Sequence, residues 1–362
     1  MNKQKIVLAT GGTGGHIFPA FALAEELMTQ NFDPIIIADK RFLKYKNHNE
    51  QITSYIIHSA SFRSGIFSKL ITCFNIIIGV LHSLILLQKI KPSLIVGFGG
   101  YPSFPSIMAA YLLGIPIILH EQNSVIGKVN RFFLGKAKFL ATSFPEVLNV
   151  PNKYLNKVIY TGNPVRKKIL NTKENLPNQD KVGIFIVGGS GGASVFSKIV
   201  PAALELMDRK IRDKLIITAQ CPKQDVAGLK QNYEELGVTA NVASFFLNIE
   251  DEYQKANLVI ARAGASTISE LLALKKPAII VPLPTAADNH QLYNAKFFIE
   301  NFGGILIEQH ELTPAYLADI LTELITKPEV LMNISSKFNK KPFDFNNNLS
   351  RLVINYFCKG SD

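Results

Sequence analysis

The sequence has few of the residues that form covalent cross-links or metal sites. Its 362 residues include three cysteines, which lie far apart and form no Cys-x-x-Cys pair. This spacing supports neither a disulfide framework nor a zinc site, and it fits a reducing, cytoplasmic setting. No Asp-x-Asp pair occurs, and no group of histidines and acidic residues has metal-ligand spacing. We therefore expect chemistry that uses neither a metal ion nor a cofactor, with arginines such as Arg166 and Arg262 beside any phosphate.

Acidic residues are also in short supply. The chain has 39 lysines and arginines against 28 aspartates and glutamates, a formal net charge of +11. This excess predicts acidic partners, such as nucleic acid, anionic lipid or phosphorylated substrates. The sequence contains no arginine-rich run, aromatic RNA-binding motif or zinc finger, so we expect no nucleic-acid partner. The first residues lead directly into an apolar run at 6–9, without the long apolar core of a signal peptide.

One long stretch lacks charge. The nineteen residues between Lys69 and Lys89 carry no formal charge, which is just enough to span a bilayer. Polar residues dilute the stretch, and a spanning helix would separate apolar runs at 52–58 and 94–97 that should share a sheet. We therefore favour a helix that partly covers the sheet. A third interpretation stays open, in which the helix lies on a membrane surface and nearby lysines meet anionic headgroups.

The rest of the chain alternates strand and helix patterns twice, which predicts an α/β protein with two parallel sheets. A polar segment at 171–181 separates the two halves, and we predict domains over 1–165 and 166–342. Apolar residues at helical spacing within 343–362 predict a last helix that could pack on either domain. The predicted strands are 6–9, 34–38, 52–58, 94–97, 115–120, 139–142 and 158–161, then 182–187, 215–219, 238–244, 258–261, 278–282 and 304–307.

Glycine-rich loops follow several predicted strands. The loop Thr10-Gly11-Gly12-Thr13-Gly14-Gly15-His16 precedes an amphipathic helix, and a similar loop recurs at 188–193. Such loops present backbone N–H groups to anions. The dinucleotide fingerprint is excluded because Ile17 stands where its third glycine belongs, although Asp39 follows the second strand as that fold requires; no P-loop lysine follows either. Two glycine loops predict a ligand held in a cleft between the domains.

Polar residues cluster after other predicted strands. His16, at the start of a predicted helix, is a candidate general base, and the alternative is a histidine that only hydrogen-bonds a loop carbonyl. The run 262–270 suits a pyrophosphate at a helix start, with Glu270 accepting hydrogen bonds from a ribose. The alternative for this run is a capping box, Thr267-x-x-Glu270. Polar runs at 120–123 and 288–291 also end strands, where open α/β sheets bind ligands.

Together these motifs resemble the MurG family of bacterial glycosyltransferases, in order from residue 6 to about residue 295. The matching motifs are Gly-Gly-Thr-Gly-Gly-His at 11–16, Gly-Gly-Tyr at 99–101, His-Glu-Gln-Asn at 120–123, Gly-Asn-Pro-Val-Arg at 162–166, Gly-Gly-Ser-x-Gly-Ala at 188–193, Arg-x-Gly-Ala-x-Thr-x-Ser-Glu at 262–270 and Asp-x-x-Gln at 288–291.

The resemblance implies a GT-B fold, with two Rossmann-like domains whose parallel sheets face across a cleft. It implies an inverting enzyme that moves N-acetylglucosamine from UDP-GlcNAc to the muramyl 4-hydroxyl of lipid I, giving lipid II for peptidoglycan. The first domain would then take the acceptor, the second would take UDP-GlcNAc, and the last helix would return to the first domain. The expected location is peripheral, on the cytoplasmic face of the inner membrane, with its anionic surface as a partner.

The resemblance also assigns roles to residues. His16 is the proposed base, Phe246 is a uracil contact, and Gln291 contacts the sugar. The diphosphate region is lined by Thr13, Gly14 and Gly15; the nucleotide sugar is contacted by Asn123, Arg166 and Ser190; and the uridine diphosphate is held by Ala265, Ser266, Thr267, Ile268, Ser269 and Glu270, with Glu270 on the ribose.

Two departures from the family pattern concern donor contacts. Gly191 stands where glutamine is common, and residues 247–249 replace a usual Asp-Asp-Met, which weakens the assignment of Phe246. Two other functions remain open, a UDP-GlcNAc 2-epimerase and a non-catalytic nucleotide-sugar-binding protein. An epimerase would need further carboxylates near the anomeric centre, whereas the acidic residues near the glycine loops are Glu121 and Glu270.

Overall fold

The computed structural model describes residues 3–46, 50–59, 66–172, 181–189, 193–340 and 348–358. The chain forms two compact units, Met1–Arg166 with Asp344–Asp362, and Lys167–Phe343. The change of unit follows Arg166 directly, a few residues before the polar segment predicted as the linker. Residues 173–180 of that segment lie outside the described residues.

The first unit is built on one sheet of parallel strands, in the order β3-β2-β1-β4-β5-β6-β7. The strands are β1 (Lys5–Ala9), β2 (Asp33–Ala38), β3 (Thr53–Ile56), β4 (Leu94–Gly97), β5 (Ile117–Glu121), β6 (Phe139–Thr142) and β7 (Val158–Tyr160). The helices are α1 (Gly14–Thr29), α2 (Ile66–Ile90), α3 (Gly100–Leu112) and α4 (Lys128–Phe133). Strands covered on both faces read as continuous apolar runs, which is why the sequence located them; β1 is buried from Ile6 to Ala9.

The second unit repeats this plan with a sheet in the order β10-β9-β8-β11-β12-β13, again parallel. Its strands are β8 (Val182–Val187), β9 (Leu215–Gln220), β10 (Thr239–Ala243), β11 (Leu258–Ala261), β12 (Ala278–Ile280) and β13 (Ile305–Leu306). Its helices are α5 (Lys167–Leu170), α6 (Ser194–Leu206), α7 (Arg209–Arg212), α8 (Val226–Glu235), α9 (Ile249–Lys255), α10 (Ala265–Ala273), α11 (His290–Phe302), α12 (Pro314–Thr326) and α13 (Pro328–Lys340). The prediction of two α/β domains with parallel sheets is confirmed.

The strand order of each sheet brings two of the predicted glycine-containing motifs to the same point. The order reverses between β1 and β4 in the first unit and between β8 and β11 in the second. Chains that leave such strands turn in opposite directions and open a crevice at the carboxyl ends, where α/β sheets bind ligands. The glycine loop at 10–16 follows β1, and Gly99-Gly100 follows β4. In the second unit, 188–193 follows β8 and 262–264 follows β11, although residues 190–192 lie outside the described residues.

The last helix, α14 (Asn348–Cys358), packs on the first unit. Leu349 and Val353 are buried in the core around α1 and β1, and the ring of Phe357 lies 5.6 Å from that of Phe32. The last helix therefore packs into the same core as the first strand and the first helix.

The uncharged stretch forms α2, which covers part of the first sheet. Its end carries Leu86, Leu87 and Ile90 into the core, and Gly79 allows a close approach, since a Cβ there would collide with the His58 carbonyl oxygen. By length and composition alone, its segment Thr72–Ile90 could cross a membrane, and 28% of that segment is buried inside the protein. The helix therefore has one face in the core, as the preferred prediction required.

Candidate functional site

The glycine loop after β1 has a backbone shape that needs glycine. Gly12 has a φ of +83°, in the left-handed region that side chains disfavour, and a Cβ on Gly11 would come within 2.7 Å of Pro102 Cβ. Thr13 is the exposed N-cap of α1, and Gly14 and Gly15 begin its first turn. The N–H groups of a first helical turn point out of the helix end, where they favour anions.

The carboxylate of Asp39 bonds the glycine loop and does not take the role that it has in a dinucleotide enzyme. One of its carboxylate oxygens accepts a hydrogen bond from the Gly12 N–H at 3.1 Å, and the other accepts one from Arg41 Nε at 2.6 Å. The Arg41 guanidinium lies over the ring of Tyr101, 4.9 Å from its centroid. The acidic residue after β2, which would favour a dinucleotide enzyme, thus ties the glycine loop to its neighbours.

His16, half-buried in the first turn of α1, is held through its Nδ1 atom. Nδ1 lies 2.9 Å from the carbonyl oxygen of Phe98 and 2.8 Å from Oε1 of Gln122. A backbone carbonyl can only accept, so Nδ1 carries the hydrogen and Nε2 keeps a lone pair in the neutral ring. A Cβ on Gly100 would lie 3.3 Å from Nε2, so the glycine leaves that side of the nitrogen uncovered. The two sequence interpretations are compatible, because the bonded nitrogen is not the one that could act as a base.

A second histidine, His120, is fully buried near the end of β5. Burial lowers the pKa of His120 from 6.5 to about 4, against a smaller opposing effect of its hydrogen bond to the Gly162 carbonyl; the nearby His16 lowers it further. His120 is therefore neutral at neutral pH. Its Nδ1 lies 2.9 Å from the amide nitrogen of Gln122, which connects it to His16.

Glu121 is buried and holds the segment that carries Asn123. Oε1 accepts from the backbone and side-chain nitrogens of Asn123 at 3.1 and 3.3 Å. Oε2 accepts from the Gly127 N–H at 2.8 Å and from the Asn130 amide at 2.9 Å. These bonds hold the backbone and the side-chain amide of Asn123 in place.

Arg166 lies at the end of the first unit beside α1. Its guanidinium carbon is 4.5 Å from the ring centroid of Phe18, a cation–π contact. This contact places the positive charge two residues beyond His16 along α1. The first unit therefore places Arg166 against the same helix that carries His16, and Asn123 directly follows the Gln122 that bonds His16.

In the second unit, the predicted run of six binding residues begins α10, whose N-cap is Gly264. The capping-box alternative is therefore wrong: a glycine stands at the cap, and Thr267 and Glu270 are both inside the helix. The side chains of Ile268 and Ser269 are buried, and Ser269 donates to the Ala265 carbonyl at 2.8 Å. A ligand at this end would therefore meet the backbone of the first turn, Ala265, Ser266 and Thr267. Ser190 lies outside the described residues.

Glu270 is buried and joined to an aromatic cluster. Its Oε2 accepts a hydrogen bond from the hydroxyl of Tyr253 at 3.0 Å. Tyr253 packs edge-on to Phe185 with ring centroids 5.1 Å apart, and Phe246 contacts the other side of Phe185 at 6.1 Å. The structure thus brings Phe246 and Glu270 into one cluster through two residues that the sequence interpretation did not single out.

The Arg262 guanidinium makes its hydrogen bonds to other parts of the protein. The guanidinium donates to the carbonyl oxygens of Val281 and Pro282 and to Oε1 of Gln309. It is also 93% buried, and burial lowers its pKa. The expectation that it meets a phosphate is not supported by this geometry, since it joins three loop segments instead.

Gln291, in the first turn of α11, supports a strained loop. Its Oε1 accepts from the Leu283 N–H at 3.0 Å, which leaves its amide nitrogen to donate to a sugar. Just before it, Asp288 and Asn289 have φ values of +50° and +54°. Two successive side-chain residues in this region carry strain, which proteins tolerate mostly at functional loops.

The chain matches two family models. Residues 6–142 match the glycosyltransferase family 28 N-terminal domain, and residues 183–347 match the glycosyltransferase family 28 C-terminal domain. A relative from Rickettsia canadensis is 43% identical and covers 97% of this chain and 99% of its own length. One from Rhodospirillum centenum is 39% identical over 91% of this chain and 88% of its own. Both relatives are named as UDP-N-acetylglucosamine–N-acetylmuramyl-(pentapeptide) pyrophosphoryl-undecaprenol N-acetylglucosamine transferases.

Solved structures are similar over nearly the whole chain. The crystal structure of MurG from Acinetobacter baumannii has a TM-score of 0.74 and 28% identity, covering 98% of this chain and 99% of that one. A UDP-GlcNAc 2-epimerase from Neisseria meningitidis, bound to UDP-GlcNAc, has a TM-score of 0.64 but 15% identity, covering 98% and 100%. At that identity the epimerase shares the fold and carries no argument about the reaction.

Proposed function

The chain belongs to glycosyltransferase family 28, among the N-acetylglucosamine transferases that act on pyrophosphoryl-undecaprenol, and on that premise we propose its reaction and the residues responsible. It transfers N-acetylglucosamine from UDP-GlcNAc to the muramyl 4-hydroxyl of undecaprenyl-pyrophosphoryl-MurNAc-pentapeptide, which converts lipid I to lipid II. The first unit takes the acceptor and the second takes the donor. The fold is the GT-B arrangement of two parallel-sheet α/β domains.

The observation that carries this proposal is the state of His16. Its Nδ1 hydrogen is engaged by two oxygen acceptors, while Nε2 keeps a lone pair at the start of α1, beside the glycine loop. A general base needs such a nitrogen within reach of the hydroxyl that it deprotonates. The adjoining helix end and glycine loop suit the diphosphate of a lipid-linked acceptor, for which Thr13, Gly14 and Gly15 supply backbone N–H groups.

The second unit supplies groups that suit a uridine diphosphate sugar. The start of α10 offers backbone N–H groups from Ala265 to Thr267 to the diphosphate, and Glu270 can accept from the ribose hydroxyls. Phe246, close to Phe185, is the proposed uracil contact. Gln291 and Asn123 take the sugar, and hydrogen bonds to the Leu283 N–H and to Glu121 hold their side chains in place.

The proposed step is a single displacement with inversion. The acceptor oxygen forms a bond to the anomeric carbon while the bond from that carbon to the diphosphate oxygen breaks. The proton of the hydroxyl passes to His16 Nε2, and the released diphosphate keeps the electron pair. Helix N-termini and the Arg166 guanidinium stabilise the negative charge that develops on the leaving group.

We also propose that α2 holds the enzyme peripherally on the cytoplasmic face of the inner membrane. Phe74, Ile77, Leu81 and Ile85 lie three to four residues apart on one face, and each is more than half exposed. Lysines at 89 and 91 are exposed at the end of the same helix. An apolar face next to lysines suits a helix lying in the headgroup region of an anionic membrane.

The test is incubation of the protein with UDP-GlcNAc and a lipid I analogue, followed by mass spectrometry of the lipid. We expect a mass gain of one N-acetylhexosamine. The His16→Ala variant should lose activity by about a hundredfold or more, the usual contribution of a general base, and should bind UDP-GlcNAc as before. His310→Ala, at an exposed histidine of the second unit, is the control and should be fully active. A folded protein that adds no sugar, or an unchanged rate for His16→Ala, would contradict the proposal.

A further inference from the structure

We propose that Gln122 is a positioning residue that sets the tautomer of His16 through a directed chain of hydrogen bonds to His120. The inference rests on the proposed function only in taking His16 as the base. Gln122 belongs to the His-Glu-Gln-Asn run, but the sequence interpretation gave it no role of its own. In the structure it is 99% buried and bridges the two histidines.

Backbone carbonyls at the two ends determine the direction of every bond in this chain. At one end the Phe98 carbonyl oxygen lies 2.9 Å from His16 Nδ1, which must donate. At the other end the Gly162 carbonyl oxygen lies 3.3 Å from His120 Nε2, which must also donate; the Ser143 hydroxyl, 3.4 Å from the same nitrogen, can accept from it. The inner nitrogen of neutral His120, Nδ1, is then an acceptor, and it lies 2.9 Å from Gln122 Nε2.

Only one of the two orientations of the Gln122 amide can form hydrogen bonds with both histidines. Its amide nitrogen donates to His120 Nδ1 and to the His120 carbonyl oxygen at 3.2 Å, which uses both amide hydrogens. Its oxygen then accepts from His16 Nδ1 at 2.8 Å. The flipped amide would place N–H against N–H at His16 and oxygen against a lone pair at His120. Because the site is buried, water cannot compensate for two such contacts.

This arrangement decides which nitrogen of His16 can act. Two oxygen acceptors on Nδ1 favour the tautomer whose lone pair is on Nε2, the nitrogen that Gly100 leaves uncovered. The Glu121 carboxylate, next in sequence to Gln122, bonds other partners: it accepts from Asn123, Gly127 and Asn130. A neutral amide therefore orients His16, where many enzymes use a carboxylate.

The first test reads the tautomers directly in the unmodified protein. Long-range 15N–1H spectra of the chain labelled with [15N]histidine distinguish a protonated Nδ1 from a protonated Nε2. We expect His16 to carry its hydrogen on Nδ1 and His120 to carry its hydrogen on Nε2, with His16→Ala and His120→Asn used for assignment. The opposite tautomer at either histidine would overturn the proposal. This measurement needs no turnover, so its failure is distinct from a failure to transfer sugar.

The second test removes the hydrogen bonds of the Gln122 amide and keeps the volume of its side chain. Gln122→Met should lower kcat by about ten- to hundredfold and leave the KM for UDP-GlcNAc within about twofold, because orientation of the base is part of the contribution that a general base makes. In the variant the Phe98 carbonyl alone holds the Nδ1 hydrogen, so the spectra should show an added fraction of His16 whose hydrogen is on Nε2. Thr142→Val is the matched control, since the buried Thr142 hydroxyl has no hydrogen-bond partner among the described residues, and it should keep the wild-type kcat and tautomers.

Equal losses in kcat and in donor binding, or a wild-type tautomer in an impaired variant, would show a purely structural role for Gln122. If Gln122→Met does not fold, the spectra of the unmodified protein still decide the question.

Discussion

His120 couples the stability of the protein to pH because it is buried without charge. Its pKa is about 4 in the folded chain and about 6.5 when exposed. Between these values the unfolded chain binds a proton that the folded chain does not, so the free energy of unfolding falls as the pH falls. The contribution is complete above pH 6.5 and is lost progressively down to about pH 4. The expected loss is roughly 3 kcal/mol for this residue.

Denaturant unfolding at a series of pH values measures this effect. His120→Asn should be less stable at pH 7 and should lose less stability between pH 7 and pH 4 than the unmodified protein. His310→Asn, at an exposed histidine, should keep the pH dependence of the unmodified protein. Parallel pH curves for the His120 variant and the unmodified protein would contradict the assignment.

Tyr253 offers a second prediction at the scale of one hydrogen bond. Its hydroxyl donates to Glu270, the proposed ribose ligand, so Tyr253→Phe should free the carboxylate and raise the KM for UDP-GlcNAc by about three- to tenfold. The kcat should stay close to wild type, because the diphosphate separates the ribose from the bond that breaks. Initial rates at saturating acceptor measure both constants.

A donor that lacks the ribose 2′-hydroxyl makes this test specific. If Tyr253 acts through Glu270 on the ribose, Tyr253→Phe should change the KM of that donor much less than the KM of UDP-GlcNAc. Tyr233→Phe is the control, because Tyr233 is equally buried in the same unit and its hydroxyl has no hydrogen-bond partner in the part of the chain that the structure describes. Equal effects on both donors would mean that Tyr253 only supports the packing.

The residues that we propose to act were visible in the sequence, and their hydrogen-bond partners were not. His16 stands in the first turn of its helix and Glu270 lies one turn inside its helix, each after an apolar run, which is a local pattern. Gln122 is 106 positions from His16, and Tyr253 is 17 positions from Glu270. Such partners are decided by which strands are neighbours, and no local pattern of residues contains that information.

Among the elements, α2 carries the prediction about the membrane. Ile77→Gln with Ile85→Gln should reduce binding to vesicles that contain anionic lipid, because both side chains are more than half exposed on the same face. Lys69→Glu with Lys89→Glu should also reduce binding, and more strongly at low salt. Sedimentation with vesicles measures both effects. Activity on a soluble acceptor analogue should not change.

The control for α2 is an exposed apolar residue elsewhere. Met332 on α13 is 70% exposed in the second unit, and Met332→Gln should leave vesicle binding unchanged. If the α2 variants bind vesicles as the unmodified protein does, the membrane role of this face is wrong. Substitutions at Leu86 or Leu87 would not test it, because these side chains are buried in the core and their loss would destabilise the fold.

The structure also decides between the two interpretations of the run at 262–270 and excludes the capping box. Thr267-x-x-Glu270 fits the pattern of a capping box, yet α10 begins at Ala265. Strand β11 ends at Ala261, and the short loop that follows starts the helix before Thr267 is reached. Glu270 therefore lies one turn inside the helix, where its carboxylate bonds Tyr253 and not the helix end.

At the scale of the whole molecule, the end of the chain stabilises its first domain. Leu349 of α14 is buried in the core with α1 and β1, so Leu349→Ala should lower the free energy of unfolding by about 2–5 kcal/mol. Hydrogen exchange should speed up in β1 and α1 and stay unchanged in β8 and β9. Arg351→Ala, at an exposed position of the same helix, should have little effect. Faster exchange confined to the second unit would contradict this role.

The sequence by itself determined the alternating α/β plan, the two glycine loops and the residues that resemble a glycosyltransferase. These are local features, because apolar runs, glycines and polar ends are read within a few residues of one another. The predicted cleft stays a prediction, as do the roles carried over by resemblance. Only the tertiary structure decided which face of α2 is exposed, which unit receives α14 and which amide bonds His16. Each of these depends on long-range packing, since a buried polar group must find its partner wherever the fold brings one.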